Sequence, residues 1–134
     1  MTNPATTASV GDTLPPLTFG PVSRTKLALY AGASGDHNPI HIDLDFVKKA
    51  GLQDVFAHGM LSMAQLGRIV TDWAGAARLK GLSTKFTAIT PVNATVTVTG
   101  EVIERSDGIL RIALTVRIDD GTTTLAGEAL VKAD

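Results

Sequence analysis

Gly59 to Trp73 reads GMLSMAQLGRIVTDW. Met60, Leu61, Met63, Leu66, Ile69, Val70 and Trp73 cover most of a helical wheel, and a narrow polar stripe remains at Ser62, Gln65, Arg68 and Asp72. That pattern predicts one long, mostly buried helix. Downstream the period changes to two. Ala94, Val96 and Val98 alternate with Thr95, Thr97 and Thr99, and Leu110, Ile112, Leu114, Val116 and Ile118 alternate with Arg111, Thr115 and Arg117. Half-buried strands have this alternation. Asp107-Gly108 and Asp120-Gly121 punctuate the run as hairpin turns, and Leu82–Ile89 and Thr123–Lys132 supply further strands. A buried helix followed by hairpin-linked strands is an α+β arrangement, an antiparallel sheet wrapped around a long central helix. A sheet this small leaves part of the helix and one edge uncovered, so a homodimer is expected.

Upstream of this block, Val22–Ala33 reads as a short helix with Ser23 as its N-cap. In Ser34–Asp43 (SGDHNPIHID) Gly, Asp, Asn and Pro break any regular period, so a tightly held loop is expected. Asp43 is placed to cap a second short helix through Ala50, with Lys48 and Lys49 near its negative end and Gly51 beyond it. The polar lead-in Met1–Asp12 lacks a basic start followed by an apolar stretch and does not read as a signal peptide.

Bulk properties exclude several functions. The 134 residues are enough for one buried core, so residues 1–134 are read as a single domain. A net charge of −1 gives no electrostatic reason to expect nucleic acid or an anionic membrane surface as partner. No apolar run approaches the ~18 residues of a membrane span, and a cytoplasmic protein is expected. Without cysteine there are no disulfides, thiolate nucleophiles or Cys-ligated zinc.

Chemistry must come from elsewhere, and the candidates are concentrated. His37, His41 and His58 all fall between Ser34 and Met60, with Asp36, Asn38 and Asp43 interleaved. His58-Gly59-Met60 stands where the buried helix begins. Backbone N–H groups in a first helical turn have no intrahelical partner, and the macrodipole favours negative charge there. An oxyanion held on Gly59 N–H, with a water held by Asp36 and His41, would supply the parts of an enolate-forming hydration. His37 reads as a surface residue, and His58 as a residue that caps the helix or holds the loop. His37 and His41 stand four apart, but Pro39 between them breaks the helix that would align them, so no metal centre is expected. Met60 and Met63, with Ser62 beside them, are candidates to line a substrate tunnel, although apolar residues of a buried helix are core first.

The run Ala33-Ser34-Gly35-Asp36-His37-Asn38-Pro39-Ile40-His41-Ile42-Asp43, followed by Ala57-His58-Gly59-Met60, resembles the MaoC-like hydratases: the (R)-specific enoyl-CoA hydratases and (R)-3-hydroxyacyl-ACP dehydratases. The similarity extends from Val10-Gly11-Asp12 and Leu14-Pro15 to Gly127-Glu128-Ala129. The resemblance implies a single hot-dog domain that dimerises, with Asp36 and His41 as the catalytic pair. It implies that Asn38 steadies the water or the loop and that Gly59 is the backbone oxyanion donor. No cofactor is implied. Water would add to a trans-2-enoyl thioester of coenzyme A or acyl carrier protein to give the (R)-3-hydroxyacyl thioester, or leave it in reverse. Some relatives carry a hydroxyl residue on the buried helix beyond that glycine; Gly67 stands at the matching position here, and Ser62 lies nearer the helix start. Two alternatives stand beside this reading: an acyl-thioesterase on the same fold, and a subunit of a heterodimeric dehydratase.

Overall fold

The computed structural model describes residues 2–134. The chain runs through a helical turn α1 (Pro4–Thr7), strand β1 (Leu17–Phe19), helix α2 (Arg24–Ser34), a 3-10 turn (Pro39–His41), helix α3 (Leu44–Lys49) and the long helix α4 (Gly59–Ala74). A second 3-10 turn (Ala76–Arg78) leads to β2 (Leu79–Phe86), β3 (Val96–Ser106), β4 (Ile109–Ile118) and β5 (Thr123–Lys132). The five strands form one antiparallel sheet in the order β1-β3-β4-β5-β2. Helix α4 packs on β2, β3, β4 and β5. This is the hot-dog arrangement, a sheet curled around a central helix.

Alternation builds the core. Val96, Val98 and Val102 on β3 and Leu110, Ile112, Leu114, Val116 and Ile118 on β4 turn inward. They meet Leu66, Ile69 and Val70 of α4 in one buried cluster. Both central residues of the β3–β4 turn have positive φ, 52° at Asp107 and 75° at Gly108, as a two-residue hairpin with right-handed strand twist requires. Ser23 accepts from Lys26 N–H and Asp43 from Phe46 N–H, so both expected caps are made. No helix of the described residues is long and apolar enough to cross a membrane.

Four elements depart from the sequence reading. Strand β2 starts at Leu79 rather than Leu82 and ends at Phe86 rather than Ile89. The chain leaves α4 through a single 3-10 turn whose Arg78 guanidinium bonds the carbonyls of Lys132 and Ala133, pinning the start of β2 to the end of β5. The N-terminal lead-in contains α1, capped by Asn3 and tied down by Arg105, whose guanidinium bonds the carbonyls of Ala5, Thr6 and Ala8. The short strand β1, at one sheet edge beside β3, has no period long enough to read. On α4 the polar stripe is displaced: Ser62 is buried, whereas Met60, counted with the apolar face, is 56% exposed.

Leu66 is fully buried where α4 meets the sheet. Leu66→Ala should lower unfolding free energy by about 3 kcal/mol through lost burial and a residual cavity, read from urea denaturation; a loss within error would mean that the sheet does not depend on this contact.

Candidate active site

The site is assembled from two short segments that cross. Helix α2 ends at Gly35, whose φ of 79° turns the chain sharply into Asp36. From there side chains replace a backbone ladder. Ser34 Oγ accepts from Asp36 N–H, Asp36 Oδ1 from Asn38 N–H, and Asn38 Oδ1 from Ile40 N–H, each at 3.2 Å. Asn38 thereby caps the 3-10 turn that presents His41. The second segment, residues 55–58, docks on the first through Phe56 N–H to Ile40 O at 3.3 Å.

His41 is almost wholly buried, and its Nδ1 lies 2.7 Å from the carbonyl oxygen of Phe56. A carbonyl only accepts, so Nδ1 carries a proton, and in the neutral ring Nε2 is the nitrogen left unprotonated. That nitrogen is 3.8 Å from Asp36 Oδ2. The Asp36 side chain is 52% exposed, against 8% for that of His41: the carboxylate is open to solvent and the imidazole backs it. Because Oδ1 already accepts from Asn38 N–H, Oδ2 is the oxygen left to react.

His58 lies at the N-cap of α4 but makes no side-chain cap bond. Its Nε2–H donates instead to the backbone carbonyl of Asp36 at 3.0 Å. The ring stacks on His41 with centroids 3.9 Å apart, and Tyr30 of α2 meets it edge-on. Its Nδ1 is buried without a partner among the described residues, an omission that costs about 1–3 kcal/mol in general. Of the two roles weighed from sequence, the side chain takes the second and holds the loop. Burial pushes the His58 pKa below the ordinary imidazole value, and His41 adds to this when it is protonated, while the Asp36 carbonyl and carboxylate oppose it.

Gly59 opens α4, and neither its N–H nor that of Met60 is bonded among the described residues. A Cβ on Gly59 would come within 2.8 Å of the Phe86 ring, which covers it from the end of β2. Met63 is half-buried against the core and Gly67 faces Leu82. His37 is exposed and stands apart from the cluster.

The group of three that could offer metal ligands is Asp36, His41 and His58, with one donor atom each, all within 4.8 Å of one another. Carbonyls engage one nitrogen of each imidazole, which leaves His41 Nε2 facing Asp36 and His58 Nδ1 without a partner among the described residues. Phe56, Tyr30 and Phe86 escaped sequence reasoning. Phe56 acts through its carbonyl, and the two rings act through contacts between distant segments, none of which leaves a local signal.

Residues 7–123 match the MaoC-like domain. The chain belongs to that family. It is 34% identical over 116 residues to an (R)-specific enoyl-CoA hydratase of Rhodospirillum rubrum, covering 82% of this chain and 78% of the relative. It also matches the fatty acid synthase subunit beta of Saccharomyces cerevisiae, 29% identical over 106 residues and 77% of this chain, but spans only 5% of that much longer protein. Among solved structures, the unliganded R-hydratase PhaJ1 of Pseudomonas aeruginosa superposes with a TM-score of 0.88 at 28% identity, over 98% of this chain and 85% of that one. The ChsH1-ChsH2 complex of Mycobacterium tuberculosis gives a TM-score of 0.82 at 26% identity, over 92% and 97%.

With its pKa depressed in the fold, His58 contributes stability that is fully present above about 6.5, the ordinary imidazole value. That stability is lost as pH falls toward the lower folded value, because the unfolded chain then binds the extra proton. Urea midpoints at pH 7.5 and 5 should therefore fall further for wild type than for His58→Gln, and equal falls would count against a buried neutral His58.

Proposed function

We propose that this chain catalyses the reversible hydration of trans-2-enoyl thioesters to (R)-3-hydroxyacyl thioesters. The observation that carries the reading is the pair of acceptors, His41 Nε2 and Asp36 Oδ2, facing each other at 3.8 Å. Two acceptors so placed repel unless a donor lies between them, and a water at hydrogen-bond lengths of ~2.8 Å reaches both. With both protons so held, its lone pair is free to attack the β-carbon. As the water oxygen bonds the β-carbon, one of the pair takes its proton and the C–C π electrons shift onto the thioester oxygen; the captured proton then passes to the α-carbon as the enolate collapses, and dehydration reverses these steps.

Negative charge develops on the thioester oxygen during this addition. The unpartnered Gly59 N–H, at the positive end of α4 and one residue from His58, is the donor suited to receive it. The absence of a side chain on Gly59 leaves room for the Phe86 ring, which packs over the same residue. The similarity to (R)-specific hydratases supports both the reaction and its stereochemistry. The acyl group is carried by coenzyme A or a carrier protein, and two copies of the chain associate, with the edge strand β2 as the exposed seam. A second reading, a subunit completed by a different hot-dog chain, is favoured by the similarity to the ChsH1-ChsH2 complex.

Crotonyl-CoA hydration, followed by loss of the enoyl-thioester absorbance, tests this directly. Asp36→Asn should lower turnover by roughly 10²- to 10⁴-fold, the range for losing a general acid or base, without unfolding the protein. His41→Ala should do the same, and the double variant should lose less than the product of the two, because both residues hold one water. An (S) product, or near-normal turnover in Asp36→Asn, would sink the assignment. Activity that appears only after a second hot-dog chain is added would select the partner-dependent version.

A further inference from the structure

We propose that His58 is a positioning residue that locks Asp36 to the start of α4, so that the acid/base pair and the oxyanion donor are held as one rigid unit. The inference rests on the hydratase reading for its catalytic consequence, but its geometry stands on the hydrogen bonding alone.

Residues 34–38 are held by local contacts: Ser34 Oγ, Asp36 Oδ1 and Asn38 Oδ1 each serve an amide two residues on. The His58 Nε2–H bond to the Asp36 carbonyl is the only long-range hydrogen bond to this stretch among the described residues. Loops secured mainly by local side-chain contacts open easily, and Asp36 is half-exposed. One bond across 22 residues therefore sets where the carboxylate sits. Its donor is the residue immediately before Gly59, so the same peptide segment fixes the distance between the reacting water and the oxyanion.

A core role alone does not account for an imidazole here. An apolar ring would fill the space between Tyr30 and His41 equally well and leave no orphaned Nδ1. Nor does the side chain cap α4. What histidine adds is the N–H at Nε2, together with a ring that stays neutral: with Nε2 donating, a second proton would sit on a buried nitrogen that has no acceptor and is stacked against His41. His58 thus supplies a donor without adding charge beside the reacting pair.

The test separates the two ring positions. An asparagine amide occupies the place of Nδ1 and falls short of Asp36, whereas a glutamine amide nitrogen reaches the place of Nε2. His58→Asn should lose roughly 10- to 100-fold in kcat on crotonyl-CoA, the scale of a misplaced reacting group, with KM little changed, and amide exchange across residues 36–41 should quicken. His58→Gln should recover most of both. His58→Phe keeps the ring packing without the donor, and reads in the same way should the asparagine variant unfold. Wild-type kcat and exchange in a folded donor-less variant would overturn the lock, as would a glutamine variant as impaired as the asparagine one. If the wild type hydrates no enoyl thioester, the reaction reading falls by itself, and the exchange of residues 36–41 still decides whether His58 holds the loop.

Discussion

Burial of α4 in the concave face of the sheet is the contact on which the rest of the molecule hangs. Leu66, Ile69 and Val70 are each almost wholly removed from water, and side chains of this kind contribute about 1.5–3 kcal/mol apiece when fully buried. Four strands grip the helix, so its axis is fixed and its first turn is held in one place. That first turn carries Gly59, and the residue before it carries the imidazole that reaches Asp36. Apolar packing along the helix thus determines where a polar site can form at its end.

The site itself is built from unequal burial. Carbonyl groups, which cannot change their protonation, set the proton positions: Phe56 fixes the tautomer of His41 and Asp36 that of His58. The two rings stack, yet one faces the half-exposed carboxylate while the other is sealed in. A solvent-facing carboxylate thus stands in front of a buried imidazole, beside helical N–H groups that make no bond among the described residues.

Much of this was legible from residue order, because the strong signals are local. Helix α4 and strand β4 are legible in their periods, β5 follows from the turn at Asp120-Gly121, and the caps at Ser23 and Asp43 are legible as side-chain types. The concentration of Asp36, His41, His58 and Gly59 within one stretch also stood out. What escaped depends on partners far away in sequence. Strand β2 is set by the reach of Arg78 to the end of β5, and α1 by Arg105. The exposure of Met60 and the burial of Ser62 depend on which side of the first turn of α4 the rest of the chain covers, which no helical wheel contains. The stacking of His41 on His58 belongs with these, since only the crossing of two loops creates it.

The polar groups of the site come from a single unbroken run, Asp36 to Gly59, whereas the strands offer α4 mainly apolar side chains. Chemistry and shape are therefore written on different parts of the chain. An exchange of one apolar residue for another on β3, β4 or β5 changes the space beside the helix and leaves the hydrogen bonding of the carboxylate and the imidazoles as it was. Mutation of the sheet can reshape the space beside the helix while the polar run is inherited intact, a division of labour that lets one scaffold vary its contours without rebuilding its site.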